Sequence, residues 1–265
     1  MRKIDIKECH KLLLGIAKEF DAICTKHNIP YYMLGGTMLG AIRHKGLIPW
    51  DDDMDFGVPY EHYNQLIDIL EKELPERYKC FTHNNCESVK SPFAKISDTQ
   101  TRINDPRIKL PIEKQIGVNI DIFPLYSCEP EDAKIKDIHK VGKVAQVLFV
   151  EPPTKNRLKS LIKQILRILC PISNSFLINK RLSIAAGLKK GNYLANIFGR
   201  WKEKEIIPVE WYGENVRFQF EDTTLCGIKE YDKYLTSLYN HYMELPPVGS
   251  RFCHTQEIFL YTKDL

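Results

Sequence analysis

Four of the five residues from Asp51 to Asp55 are aspartates, with Met54 the one interruption. They stand in "GLIPWDDDMDFGV", between Trp50 and an apolar run that opens at Phe56. Carboxylates this close raise one another's pKa and work against folding unless something compensates them. The side-chain period of a strand is two, so Asp53 and Asp55 face one way while Met54 and Phe56 face the other, into a core. The stretch therefore demands a strand with one apolar face and one anionic face, and a cation for the second. Mg²⁺ is a hard ion that takes one or two carboxylates together with substrate phosphates and water, and it meets that demand. An acidic surface turn and a structural calcium loop are the two plainer readings of the same residues.

The residues upstream add to the ligand reading. A helix is expected over residues 6 to 26, where Leu12, Leu13, Ile16, Phe20 and Ile23 recur three and four apart. Pro30 ends that pattern, and Tyr31 to Leu34 read as a short strand. Gly35 and Gly36 then allow a sharp turn and a close approach by a ligand. Thr37 is expected to cap the following helix, "TMLGAIRHK", whose N-terminal amides would make a phosphate seat at the strand end. Arg43, His44 and Lys45 lie between the glycines and the aspartates, where cations can meet phosphate oxygens or simply face solvent.

A further carboxylate stands alone on another strand. "IGVNIDIFPL" alternates Val118, Ile120 and Ile122 with Asn119, Asp121 and Phe123, and is expected to stop at Pro124. If that strand neighbours the first, Asp53, Asp55 and Asp121 converge. Such a group can hold one or two metal ions against a phosphoryl group, and one member can take the proton of an attacking hydroxyl.

Between these strands, "YEHYNQLIDILEKEL" reads as a helix after Pro59, "KSPFAKISD" as a strand and turn, and residues 99 to 115 as a polar loop. From about Lys134 the pattern turns helical. Residues 155 to 170 set Leu158, Leu161, Ile162, Ile165, Leu166, Ile168 and Leu169 against Arg157, Lys159, Lys163 and Arg167. A basic amphipathic helix of this kind lies on an anionic membrane surface or packs its apolar side on the protein body. "VRFQFED" and "KEYDKYLTSLYNHYMELPP" close the chain as a strand and a helix. Trp50, Trp201 and Trp211 are expected in the core.

Charge and cysteine usage narrow the setting. Lys plus Arg number 38 against 34 Asp plus Glu, an excess that suits an anionic ligand or membrane surface and does not argue for nucleic acid. The 8 cysteines include no CxxC pair, and the N-terminus lacks a signal-peptide apolar run, so reduced thiols in the cytoplasm are expected. Cys80, His83 and Cys86 have the types of zinc ligands, but no partner pair stands near them at a zinc-site spacing. No apolar stretch reaches the ~18 residues of a membrane span.

The wording of two motifs, "GGTMLGAIRHKGLIPWDDDMDFGV" and "VNIDIFPL", closely resembles the LicD family, the bacterial phosphocholine transferases related to fukutin and fukutin-related protein. The resemblance covers about residues 25 to 127 and resumes more loosely over 217 to 254. Asn240 and His241 stand where it leads one to expect Gly and Asp, and Ile228 where a Pro is frequent. It implies an α/β fold with a nucleotidyltransferase-like mixed sheet and flanking helices over 25–127, and a mainly helical C-terminal half, 130–265, completing the acceptor side of one 1–265 unit. It also implies Mg²⁺ or Mn²⁺ as cofactor. Asp53, Asp55 and Asp121 would be the catalytic carboxylates and metal ligands, with Asp51 beside them. Gly35, Gly36, Thr37, Arg43 and Lys45 would lie on the nucleotide side.

The activity implied is transfer of a phospho-alcohol group from a CDP-linked donor, such as CDP-choline or CDP-ribitol, to a hydroxyl of a glycan or lipid-linked saccharide. CMP would be released, in lipopolysaccharide synthesis or in capsule or teichoic acid modification. The enzyme would be cytoplasmic, with peripheral contact at the inner membrane face through residues 155 to 170. Three alternatives remain beside it. A nucleotidyltransferase would use an NTP and release pyrophosphate, a glycosyltransferase would use a nucleotide sugar, and a degenerate binding module would hold nucleotide without turnover.

Overall fold

The computed structural model describes residues 1–150, 172–251 and 257–261; the side chain of Val150 and the basic segment 155–170 lie outside them. After a two-residue strand β1 (Arg2–Lys3), helix α1 (Ile6–Lys26) begins at a capping box. The Glu8 N–H donates to Asp5 Oδ1 at 2.8 Å, and the Asp5 N–H donates to Glu8 Oε2 at 3.4 Å. The expected face is buried through Leu13, Ile16, Phe20 and Ile23. β2 (Tyr32–Met33), α2 (Gly35–Arg43), β3 (Asp55–Pro59) and α3 (Tyr60–Glu73) follow, then β4 (Tyr78–Phe81), β5 (Ala94–Asp98), β6 (Thr101–Ile103) and β7 (Asn119–Cys128).

The later elements are α4 (Ala133–Ala145), α5 (Asn174–Ala186), β8 (Tyr193–Ala195), β9 (Ile206–Pro208), β10 (Arg217–Phe220), β11 (Thr223–Cys226), α6 (Tyr231–Tyr239) and β12 (Ile258–Leu260). Helices and a mixed sheet together make an α/β fold, and the part after residue 130 adds strands as well as helices. The central sheet has the order β2-β3-β7-β5-β4, with β8 on β7 and β9 on β8. β3 and β7 run parallel and the remaining pairs antiparallel.

Alternation in β3 works as expected from its residue types: Phe56 and Val58 are fully buried, and Phe56 packs on Phe20 of α1 with ring centroids 5.1 Å apart. On α3, the Tyr63 hydroxyl donates to the Ile122 carbonyl of β7 at 3.0 Å and accepts from the Ala94 N–H of β5 at 2.8 Å. It thereby closes the ladder where β5 begins.

Four local expectations are corrected. β7 runs through Pro124 to Cys128. The Asp121 N–H points toward β3, donating to the Met54 carbonyl at 2.8 Å, so alternation aims position 124 at the opposite edge. That edge changes partner from β5, paired up to Ile122, to β8, paired from Tyr126. A proline in the gap removes no ladder bond. The segment read as a loop after residue 99 contains β6, which pairs with β12 from Ile103↔Ile258 to Thr101↔Leu260. α2 begins at Gly35 with Leu34 at its N-cap and no side-chain cap bond, so Thr37 lies inside the helix and caps nothing. β3 begins at Asp55, and Asp53 lies in the segment before it rather than in the strand.

Candidate active site

Asp55 opens β3 and its register partner on β7 is Asp121, whose own partner on β5 is Lys95. Three neighbouring strands thus set two carboxylates and an ammonium in one row. The Lys95 ammonium is ion-paired with Asp121 Oδ1 and donates to Asn119 Oδ1 at 3.2 Å. The Asp55 backbone is held on both sides: its N–H donates to Thr37 Oγ1 at 2.8 Å, and its carbonyl accepts from the Leu34 N–H at 2.9 Å. Thr37, buried in α2, therefore acts on the strand that carries the carboxylate.

The glycine pair explains how the remaining aspartates approach. Gly35 has φ +47, a conformation that favours glycine, and its N–H donates to the Tyr234 hydroxyl of α6 at 2.9 Å. A Cβ there would lie 3.6 Å from both Asp55 Oδ2 and the Tyr239 hydroxyl. At Gly36 a Cβ would lie 2.8 Å from Asp51 Oδ2. The bare backbone of α2's first turn is thus the floor between Asp51 and Asp55. Asp51 is anchored by its N–H on the Ile48 carbonyl at 2.9 Å, and its own carbonyl lies 2.7 Å from His10 Nε2.

Burial, and then the negative charges of Asp53, Asp121 and Asp51, push the Asp55 carboxyl well above the ordinary range, while Lys95 pulls it down. Burial and Asp52 push Asp51 up to about 6. Burial also raises the Tyr239 hydroxyl, with Asp55, Glu205 and Asp51 adding to it. Asp52 is buried and Asp53 exposed. Among the described residues no group of three or more His, Cys, Asp or Glu side chains is already arranged to hold a metal ion. The donor set is nonetheless all carboxylate oxygen, and the mutual repulsion felt by Asp55 is of the kind a hard divalent cation relieves. The residues fit such an ion by their chemistry.

These groups open on one cleft of about 1750 Å³, lined also by Arg43, Trp50, Trp201, Glu205 and Tyr239. Arg43 reaches it from the end of α2, and its Nη1 donates to the carbonyls of Tyr242 at 2.8 Å and Glu244 at 3.2 Å. Lys45 does not join them. It takes φ +59 in the turn after α2, its carbonyl accepts from the Glu221 N–H at 2.7 Å, and it is not on the cleft wall. Cys80, His83 and Cys86 go separate ways: Cys80 is in the core, His83 Nε2 lies 2.9 Å from Asn179 Oδ1, and Cys86 Sγ lies 3.2 Å from Ser88 Oγ.

Sequence reasoning passed over Lys95, although "FAKIS" places it on the polar side of its strand. It also passed over Glu205, buried beneath the Trp201 loop. There Oε1 accepts from the Trp201 N–H at 2.8 Å and Oε2 from Asn196 Nδ2 at 2.7 Å. No periodicity marks that residue. Trp50 and Trp201, expected in the core, are half-buried against it and also stand on the cleft wall, with Trp201 edge-on to Tyr239.

The family model "LicD/FKTN/FKRP, nucleotidyltransferase domain" matches residues 28–149, the span that carries Asp55, Asp121 and Lys95. The "Lipopolysaccharide cholinephosphotransferase LicD" of Haemophilus influenzae is 30% identical over 280 residues, covering 98% of this chain and 100% of that protein. The "Ribitol 5-phosphate transferase FKRP" of Homo sapiens is 36% identical over 53 residues, 20% of this chain and 11% of that one. With a relative matched along nearly its whole length, this chain belongs to the LicD family of phosphotransferases.

Proposed function

We propose that this enzyme transfers a phospho-alcohol group, such as phosphocholine or ribitol phosphate, from a CDP-linked donor to a hydroxyl of a cell-surface glycan or its lipid-linked precursor, releasing CMP. One observation carries the reading: the row Asp55, Asp121, Lys95 lies on the same cleft as the bare first turn of α2. The names of the relatives point the same way, one a cholinephosphotransferase and one a ribitol 5-phosphate transferase. Residues 25–127 form the donor-binding core in this reading, and 130–265 complete the acceptor side.

Mg²⁺ or Mn²⁺, held by Asp53, Asp55 and Asp121 with Asp51 beside them, would supply positive charge against the donor diphosphate. The chain's own groups do the rest. Gly35 and Gly36 let the nucleotide phosphates come against backbone, where any side chain would meet Asp55, Tyr239 or Asp51. Arg43 ties the segment around Tyr242 and Glu244 to α2 and so shapes the nucleotide side of the cleft. Lys95 fixes Oδ1 of Asp121, and the second oxygen is left either to hold the ion or to take the proton of the attacking hydroxyl. A bond forms from that hydroxyl oxygen to the donor's alcohol-bearing phosphorus as the bond to CMP breaks in line.

No helix among the described residues is long and apolar enough to cross a membrane. The enzyme on this reading works in the cytoplasm, meeting a lipid-linked acceptor at the inner membrane face.

The test is CMP release from CDP-choline, CDP-ribitol and CDP-glycerol, with Mg²⁺, with Mn²⁺ and with chelator. Divalent-dependent release from one CDP-alcohol in the presence of a glycan acceptor is expected. Pyrophosphate release from an NTP, or turnover confined to UDP- or GDP-sugars, would overturn the reading in favour of a nucleotidyl- or glycosyltransferase.

A further inference from the structure

The cleft has a second charged wall, made by elements other than the aspartate-bearing strands. On α4, Lys136, His139, Lys140 and Lys143 recur at the spacing of one helical face, and all four line the cleft. Arg181 reaches the same wall from α5. Its guanidinium lies over the Phe198 ring at 4.9 Å and against α4 at Gly142, where a Cβ would come within 2.9 Å of Cζ. Glycine inside a helix is less favourable than alanine, and here its bare backbone makes the room the guanidinium occupies.

Arg181 is held in place without being neutralised. No carboxylate pairs with it among the described residues, and burial alone pushes it down, to about 10. Its Nε is buried without a hydrogen-bond partner, as is Nε2 of His139 one turn from Gly142. Two acidic contacts reach this wall: the Nδ1 of His139 lies 3.5 Å from Glu203 Oε1, and Lys140 pairs with the exposed Asp137 at 3.2 Å. A desolvated guanidinium with no anion is expensive to bury, and its planar fork matches the oxygens of a phosphate in paired hydrogen bonds.

We propose that Arg181, stacked on Phe198 and seated against Gly142, forms with His139 and the α4 lysines a second anion subsite of the cleft, one that takes a phosphate or diphosphate group of a substrate. The binding itself stands apart from the transfer reading. Only the source of the anion, donor diphosphate or a phosphate on the acceptor, rests on it.

Titration calorimetry of the full chain with inorganic pyrophosphate, in chelator so that no metal bridges it to the aspartates, tests the subsite. Wild type is expected to bind. Arg181→Met should weaken binding at least tenfold without lowering Tm, since it removes an uncompensated charge. Gly142→Ala keeps the charge but takes its room, and should weaken binding as well. Wild type that fails to bind, or an Arg181→Met protein that binds as wild type does, overturns the proposal. In steady-state assays, a raised KM for the CDP-alcohol alone assigns the subsite to the donor, and one for the glycan alone to the acceptor. If no CDP-alcohol turns over, the transfer reading falls while the pyrophosphate titration still decides the subsite.

Discussion

Asp55 and Asp121 face each other in register across the parallel pair β3 and β7, and Lys95 compensates Asp121 from the far side. The two carboxylates therefore differ although they are neighbours. Asp121 has a cation bonded to it, while Asp55 is half-buried and feels three other aspartates. Its charge is a standing cost to the apo fold.

That asymmetry predicts different stabilities for two variants that should be equally inactive. Asp55→Asn removes a repelled charge and should raise Tm in chelator. Asp121→Asn strands the Lys95 ammonium and should be the less stable of the two by roughly 1–3 kcal/mol. Both should lose divalent-dependent turnover by a factor on the order of 100 or more, because on the proposed reading each removes an oxygen ligand of the divalent ion. Wild-type-like turnover in either variant would refute its place in the metal and catalytic set.

Gly36 offers a test of how closely Asp51 must approach α2. A methyl group there would lie 2.8 Å from Asp51 Oδ2, so Gly36→Ala must push the carboxylate aside. The helix itself gains from alanine, and the fold should be unharmed. A displacement of this size should lower kcat/KM by about tenfold to a hundredfold at unchanged Tm. Gly249→Ala, where a Cβ meets nothing within 4 Å, is the control expected to behave as wild type.

Glu205 should make stability fall as pH rises. Burial pushes its carboxyl up to about 7 from an ordinary 4.5, and the residue is only 5% exposed. A raised carboxyl pKa means the folded state holds the proton more tightly. The stabilisation is complete below the unfolded pKa and is lost as pH climbs through the folded one, roughly 3 kcal/mol in all. Glu205→Gln stays neutral, and the buried unpartnered Oδ1 of Asn196 can accept from its amide if Asn196 turns over. Urea denaturation should therefore find the variant more stable than wild type at pH 8 and close to it at pH 4.5. Equal stability at both pH values would remove the buried-carboxyl account.

What could be read without coordinates was whatever repeats locally. The period of two exposed the polar face that carries Asp55 and the strand that carries Asp121, and the helical period found α1 and α3. That β3 and β7 are neighbours could not be read, because a long crossover separates parallel strands and only packing chooses the pair. Thr37 misled because it has the chemistry of a cap, yet Gly35 lets α2 start earlier and turns the hydroxyl onto Asp55. Pro124 misled because its harm depends on what lies at one strand edge. Arg181 and Glu205 stayed hidden because a lone charged residue gives no periodic signal, and their meaning lies in burial and in the partners they have or lack.

Asn240 shows a departure from family expectation becoming a stability term. It ends α6 with φ 56 and ψ −109, a conformation that glycine adopts freely and other residues adopt under strain. Asparagine tolerates positive φ better than most side chains, which fits its presence where glycine is expected. Asn240→Gly should relieve the strain and stabilise the protein by about 1 kcal/mol, the lower end of what such a position stores. Asn240→Val, branched at Cβ, should destabilise it by more than that. Thermal unfolding of the two variants beside wild type gives the answer in the order of their Tm values, glycine highest and valine lowest. Any other order would mean that contacts of the Asn240 side chain outweigh its backbone.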